Sequence, residues 1–211
     1  MRKIRWGVLG TAHIAEGQTI PGMQNTKNCE LYAIAGRSLE KAKEFQNRFH
    51  FKKAYGSYDE LLEDPEVEAV YIPLPNHLHK EWVLKAAAHK KHILCEKPMS
   101  GSAKDTREMI QACKDAGVIL MEAFAYLHSP LMQKLKLQID QGLIGDVNFI
   151  ESTPHFIHRD MKIIFAFIGI LWADLFTIWA AITLRSHHIC SVKSRFLRKL
   201  SLILQRNILM I

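Results

Sequence analysis

"IRWGVLGTAHIA", residues 4–15, is a short apolar run followed by closely spaced small residues. The run ends at Gly10 and is typical of a buried β-strand. Gly10, Ala12 and Ala15 then follow in G-x-A-x-x-A spacing, a variant of the glycine-rich turn between a strand and a helix. In that turn the first glycine makes the bend, the second small residue lets the backbone approach a pyrophosphate, and the helix offers free N–H groups. The stretch therefore favours dinucleotide binding; an ordinary tight turn is the alternative.

Outward from this turn, apolar strands and amphipathic helices alternate about six times up to residue 126. The pattern predicts strands over residues 4–10, 29–37, 67–75, 92–98, 118–126 and 146–153. It predicts helices over residues 15–23, 38–49, 57–65, 79–91, 102–117 and 129–145. Such alternation is typical of parallel strands joined by crossover helices. We therefore predict an α/β fold, a doubly wound parallel sheet of the Rossmann type, over residues 1–123.

The end of the second predicted strand bears on which dinucleotide is bound. An NAD site places an Asp or Glu about 20 residues past the small-residue turn, where it bonds the ribose hydroxyls. This chain has Arg37 and Ser38 there and no acid. A guanidinium can pair with a 2′-phosphate, so the sequence favours NADP, with NAD as the alternative. A solvated Arg37 beside a helix-capping Ser38 is the non-functional interpretation.

Two further motifs follow the predicted strands 67–75 and 92–98, where ligands bind in open α/β sheets. They are "YIPLPNHLH" at residues 71–79 and "CEKP" at residues 95–98. Lys97 is the charged group best placed to move a proton of a substrate hydroxyl or carbonyl. His77 and His79 lack further ligands nearby in sequence, so we expect no metal site.

Five motifs in order resemble the Gfo/Idh/MocA family of NAD(P)-dependent oxidoreductases, especially its dihydrodiol and NADP-linked sugar dehydrogenases. They are "GVLGTAHIA", "AGRSLEKAKEF", "YGSYDELLEDPEVEAVYIPLPNHLH", "HILCEKPMS" and "LMEAFAYLHSP". The resemblance runs from residue 4 to about residue 160. It implies a Rossmann domain and then an α+β domain that covers a small-molecule substrate, often in a homo-oligomer. It implies hydride transfer between a nicotinamide and a sugar, a polyol or a cyclic diol.

The resemblance also implies roles for individual residues of the cofactor domain. The pyrophosphate would lie on Gly10, Thr11, Ala12, His13 and Ile14. The adenosine ribose would lie at Arg37 and Ser38. The nicotinamide side would be lined by Leu74, Pro75, Asn76 and His79. Glu96 and Lys97 would belong to the family's Glu-Lys-Pro motif, with Lys97 as the catalytic residue.

The chain departs from the family pattern after "HFIHRDM" at residues 155–161. The pattern expects a helix like Gly-Gly-x-Leu-Tyr-Asp-Leu-Gly-x-Tyr, whose Asp and Tyr complete the acid–base set around Lys97. Read in a shifted frame, the codons of Trp172-Ala173 and Trp179-Ala180 force two glycines at the expected spacing. We therefore expect a frameshift near residues 161–165. Residues 124–160 would begin an incomplete α+β domain, and residues 161–211 would be an out-of-frame apolar and basic tail.

Other function classes are less favoured by the sequence. Residues 163–184 are long and apolar enough for a membrane span, but Asp174 would cost about 3 kcal/mol at mid-bilayer. Residues 1–150 show no basic face for nucleic acid, since residues 151–211, with eight Lys or Arg against three Asp or Glu, supply most of the net charge of +7. Scattered cysteines and the lack of a secretory pattern favour the cytoplasm. A nucleotide-binding sensor or remnant without catalysis remains the alternative to an enzyme.

Overall fold

The computed structural model describes residues 2–145 of the 211-residue chain. Within that range the chain forms a six-stranded parallel sheet in the order β3-β2-β1-β4-β5-β6. The strands are β1 Ile4–Leu9, β2 Cys29–Ala35, β3 Lys53–Tyr55, β4 Ala69–Ile72, β5 His92–Cys95 and β6 Leu120–Glu122. This order reverses direction between β1 and β4, as in the doubly wound dinucleotide-binding sheet. The predicted Rossmann fold is confirmed.

Helices connect the strands and cover both faces of the sheet. They are α1 Ile20–Gln24, α2 Leu39–Phe49, α3 Tyr58–Glu63, α4 His79–Ala88 and α5 Ala103–Ala116. One more helix, α6 Pro130–Asp140, follows β6. A π-helical turn, Ala15–Thr19, leads directly into α1. The predicted strand over residues 146–153, the predicted tail over 161–211 and the apolar stretch 163–184 lie outside the described residues.

Strand β3 was not predicted from the sequence. It is three residues long, pairs in parallel with β2 and forms an edge of the sheet. None of its residues is fully buried, so no continuous apolar run marks it. Its presence completes the half of the sheet that lies beside α2 and α3.

Serine side chains fix where three helices begin. Ser38 accepts a hydrogen bond from the N–H of Lys41, Ser57 from that of Glu60, and Ser102 from that of Asp105. Such N-caps each stabilise a helix by about 1 kcal/mol. The helix predicted over residues 102–117 is confirmed: Ser102 is its N-cap, and it ends at Gly117, which has a φ of 69°.

The core lies on the two faces of the sheet because successive strand residues point to opposite sides. Leu9, Val70 and Ile72 belong to one cluster, which α4 and α5 cover. Val8 and Tyr71 belong to the other cluster, beside Ile20 and Ile34. All of these side chains are buried, and burial of each large apolar one stabilises the fold by about 1.5–3 kcal/mol. The ends of the central strands are therefore fixed in position.

The chain divides into two compact units, Met1–Ala123 and Phe124–Ile211. In the described part of the second unit, a 3-10 turn at Ala125–His128 precedes α6. Leu131 and Leu137 of α6 are exposed, as are Leu143 and Ile144 beyond it.

Candidate functional site

The candidate site lies at the carboxyl edge of the sheet in the first unit. Because β1, β2, β4 and β5 are parallel, the loops that follow them meet at this edge. A cleft of about 430 Å³ opens between the loops after β1, β2 and β4. It is lined by Gly10, Thr11, Ala12, Arg37, Ser38, Lys41, Tyr58, Pro73, Leu74 and Pro75. Seven of these were predicted as cofactor-binding residues.

Gly10 shapes the floor of the cleft. Its N–H donates a hydrogen bond to the carbonyl of Ala35 at 2.8 Å, which fixes the turn to the end of β2. Its φ of 114° is a conformation that side chains disfavour, and a Cβ there would lie 3.1 Å from Leu74 Cδ2. The absence of a side chain therefore leaves room for a bound group to approach the backbone.

The residues after the turn begin the first helical segment. His13 and Ile14 are exposed and do not line the cleft. His13 Nδ1 lies 3.4 Å from Glu16 Oε2, and Glu16 is also paired with Arg48. Its hydrogen bond with Arg48 lowers the pKa of Glu16 against the opposing effect of desolvation. His13 and Ile14 are thus placed beside the cleft, on its solvent side.

Arg37, Ser38 and Lys41, here called the basic corner, form one wall of the cleft. Arg37 and Lys41 are exposed, so both cations face solvent and any bound anion. Ser38 Oγ accepts from the Lys41 N–H at 3.4 Å, so Ser38 caps α2 and lines the cleft as well. Sequence reasoning missed Lys41. The sequence feature that could have identified Lys41 as a cleft residue is its position in the first turn of a helix that Ser38 caps.

A second cavity of about 440 Å³ shares Arg37 and Tyr58 with the cleft. The Tyr58 ring meets the Trp82 ring edge-on at 4.9 Å between centroids. Burial raises the pKa of Tyr58, and the nearby charge of Arg37 opposes this. Next to the basic corner there is therefore an aromatic wall that suits a flat ring.

The Glu-Lys-Pro turn, residues 96–98, follows β5 at the same edge. Tyr71 donates its hydroxyl hydrogen to Glu96 Oε1 at 2.7 Å, and Thr19 donates to the Tyr71 oxygen at 3.0 Å. The Lys97 N–H donates to Glu96 Oε2 at 3.2 Å, and the Lys97–Pro98 peptide bond is cis. Glu96 and Lys97 are partly exposed. The structure therefore ties the Glu96 side chain to the protein interior.

His79 is fully buried, and both of its ring nitrogens meet backbone carbonyls. Nε2 lies 2.8 Å from the Leu74 oxygen, and Nδ1 lies 2.9 Å from the Pro98 oxygen. Asn76, which is partly exposed, begins a 3-10 turn just before His79. His79 therefore joins the loop after β4 to the Glu-Lys-Pro turn and does not line the cleft.

Residues 2–145 contain neither a cluster of metal ligands nor a membrane-spanning helix. Three or more His, Cys, Asp or Glu side chains do not group there as metal ligands would. Nor does that part of the chain contain a helix long and apolar enough to cross a membrane.

The strand order, the tight turn at Gly10 and the cleft at the carboxyl edge define a Rossmann dinucleotide-binding domain. Residues 4–124 match the model of the Gfo/Idh/MocA oxidoreductase family, described as an NAD-binding Rossmann fold. The chain belongs to this family, as its motifs predicted.

Curated relatives and solved structures agree with this assignment. D-xylose 1-dehydrogenase (NADP(+)) 2 of Haloferax volcanii is 46% identical over 61% of this chain and 39% of its own length. Trans-1,2-dihydrobenzene-1,2-diol dehydrogenase of Mus musculus is 40% identical over 68% of this chain and 44% of its own. A 3-ketoreductase from Actinomadura kijaniata, solved with TDP-benzene and NADP, superposes with a TM-score of 0.66 at 37% identity, covering 70% of this chain and 46% of that one. The chain spans less than half the length of these relatives.

Proposed function

We propose that the chain binds NADP(H) in the cleft at the carboxyl edge of the sheet. The observation that carries this proposal is that one cleft brings the Gly10 turn together with the basic corner. The turn offers a pyrophosphate close access to the backbone, because no Cβ fills the space at Gly10. His13 and Ile14, exposed beside it, would flank the pyrophosphate.

The basic corner supports NADP over NAD. Two exposed cations, Arg37 and Lys41, and the hydroxyl of Ser38 would meet the 2′-phosphate of the adenosine ribose. The corner stands at the N-terminus of α2, where the helix dipole also favours an anion. The neighbouring cavity with Tyr58 and Trp82 would receive the adenine.

The nicotinamide half would extend from Leu74 and Pro75 towards Asn76 and the Glu-Lys-Pro turn. When bound, the nicotinamide supplies or accepts the hydride. Lys97 would bind the substrate oxygen and hold or release its proton. Glu96 and His79 would act by fixing the position of this turn, since both are bonded within the protein.

The relatives support a substrate with a secondary alcohol or ketone, such as a sugar, a polyol or a cyclic diol. We further propose that residues 1–123 are the cofactor domain, that 124–160 begin the substrate domain, and that a frameshift has replaced the rest. This chain would then bind cofactor but turn over little substrate, because the expected Asp and Tyr partners of Lys97 are missing. A cofactor-binding remnant or sensor is the second candidate, and the same missing residues favour it.

The test is a fluorescence titration of the full chain with NADPH and with NADH, followed by an assay of alcohol oxidation. We expect saturable NADPH enhancement, at least about tenfold tighter than NADH, the factor that 1.4 kcal/mol gives. Equal binding of the two, or none, would contradict the cofactor proposal. A second protein with the reading frame restored should gain turnover. If it stays inactive on sugars, polyols and diols, the sensor is the better account.

A further inference from the structure

The Glu-Lys-Pro turn is tied to the interior from both faces of the sheet. Tyr71 is in β4, and its ring lies in the core cluster with Val8 and Ile20. His79 begins α4, whose buried Val83 and Ala86 pack in the other cluster. Tyr71 holds Glu96 from one side, and His79 holds Pro98 from the other. Lys97 lies between these two anchored neighbours.

The hydrogen bond between Tyr71 and Glu96 is part of a chain that extends to the helical segment after the Gly10 turn. Thr19, in the π-helical turn, donates to Tyr71, which donates to Glu96, so each hydrogen bond polarises the next. Burial is the main reason that the pKa of Tyr71 lies far above its usual range, and its phenol stays a donor over the working pH range. The proposed phosphate-binding helix and the Glu-Lys-Pro turn are therefore joined by one partly buried chain of hydrogen bonds.

The second tie reaches the loop that lines the cleft. His79 meets the carbonyl of Leu74, a cleft residue, and the carbonyl of Pro98. Each ring nitrogen lies within hydrogen-bond distance of one carbonyl, and at least one of the two nitrogens carries a hydrogen that it can donate. Because His79 is fully buried, loss of its donors would leave these carbonyls without solvent to replace them.

We infer that Tyr71 and His79 are positioning residues that set where the Lys97 ammonium stands relative to the cleft. This inference rests on the proposed function only for the task that it gives to Lys97. It implies that the motif residue Glu96 and the motif residue His79 act through the turn. Neither needs to touch a ligand.

The ties are tested first without any cofactor, by hydrogen exchange of the full-length chain. The N–H groups of Glu96, Lys97 and Met99 donate to Ile72, Glu96 and Glu122, so their exchange reports on the turn. In Tyr71→Phe we expect these amides to exchange about threefold to tenfold faster, as loss of one hydrogen bond predicts. The matched control is Tyr55→Phe, which removes another phenol–carboxylate bond of 2.7 Å, to Asp64. Its exchange should rise around Asp64 and not at residues 96–99.

Two further variants keep this test decisive. If Tyr71→Phe does not fold, Thr19→Val breaks the same chain at its other end. His79→Leu should also loosen residues 96–99, while His79→Gln, whose amide still donates, should restore part of the protection. Unchanged exchange at these amides in folded Tyr71→Phe or Thr19→Val, together with His79→Leu, would overturn the inference.

A second readout follows the lysine itself. After reductive methylation with ¹³C-formaldehyde, the Lys97 signal is assigned by its loss in Lys97→Arg. Saturating NADPH should shift this signal in the wild-type chain and in Tyr55→Phe, and shift it by less than half as much in Tyr71→Phe. A role in stability alone would leave the shift at saturation unchanged, and that result would contradict positioning. If NADPH does not bind the wild-type chain, the proposed function fails, and hydrogen exchange still decides whether the ties hold the turn.

Discussion

The basic corner and the Glu-Lys-Pro turn lie at the same edge of one sheet, yet they are built in opposite ways. Arg37 and Lys41 of the corner are exposed and point their charges at open space. The Glu96 side chain of the turn is already bonded to the buried Tyr71. The first region is thus suited to capture a charged group from solvent, and the second to hold its own geometry. The family motifs therefore include both side chains that are open to solvent and side chains that are bonded within the protein.

The largest expected effect on this comparison comes from a substitution at Gly10 that fills part of the cleft. We expect Gly10→Ala to lower the free energy of unfolding by about 1–3 kcal/mol, because alanine is strained at this φ. NADPH affinity should fall by more than about tenfold, since the methyl group occupies the approach to the backbone. Fluorescence titration and urea denaturation measure the two effects. The matched control, Gly22→Ala, meets no atom within 4 Å and should leave binding intact; equal losses in both variants would contradict the role of Gly10.

Removal of the Arg37 charge should sharpen the difference between the two regions. A hydrogen bond to a charged group contributes about 1.5–3 kcal/mol. Because Arg37 is exposed and salt screens its charge, we expect its contribution at the low end of this range. We therefore expect Arg37→Ala to weaken NADPH binding about tenfold and NADH binding by less than about twofold. The loss should shrink at high salt. An equal loss of affinity for NADPH and for NADH would contradict a contact between Arg37 and the 2′-phosphate.

The sequence predicted the two regions unequally, for physical reasons. The Gly10 turn is local, so its residues and spacing are visible in one short stretch. Lys41 belongs to the basic corner because α2 begins after the cap Ser38, which places Lys41 in the first turn of the helix. The sequence indicated the cap but did not predict Lys41 as a cleft residue. The hydrogen bond between Tyr71 and Glu96 joins residues 25 positions apart, and no periodicity in the sequence predicts such a pair. The parallel register of β4 and β5 brings the two residues together.

Asp64 lies in a buried polar cluster that does not line the cleft. It therefore tests whether hydrogen bonding within the protein is by itself enough to indicate a functional site. Burial by itself would raise the pKa of Asp64, but hydrogen bonds from Tyr55, Lys53 and the Glu66 N–H outweigh it and lower the pKa. A depressed pKa in the folded state stabilises the protein above the unfolded value, about 3.9, and this contribution is lost as the pH falls through the folded value.

Asp64→Asn should therefore lower the free energy of unfolding by about 1 kcal/mol at pH 7, because its amide turns a donor towards Lys53 and Tyr55. The difference from wild type should vanish as the pH falls below about 4. NADPH affinity should not change. Asp59→Asn, which breaks an exposed pair with Lys85, is the control and should cost less at every pH. A pH-independent difference for Asp64→Asn would contradict the ion-pair account.

The smallest expected effect concerns Lys41, the cleft residue that the sequence analysis missed. Its side chain is exposed, so we expect it to add a screened charge beside Arg37 and not a fixed pair of hydrogen bonds. Lys41→Ala should weaken NADPH binding about twofold to fivefold, the range of an exposed ion pair worth up to 1 kcal/mol. Lys43→Ala removes an equally exposed charge from the same helix outside the cleft lining, and it should have no effect. If Lys41→Ala and Lys43→Ala weaken NADPH binding equally, the corner attracts the cofactor through its overall positive charge. If only Lys41→Ala weakens binding, and its effect adds to that of Arg37→Ala, Lys41 contacts the cofactor directly.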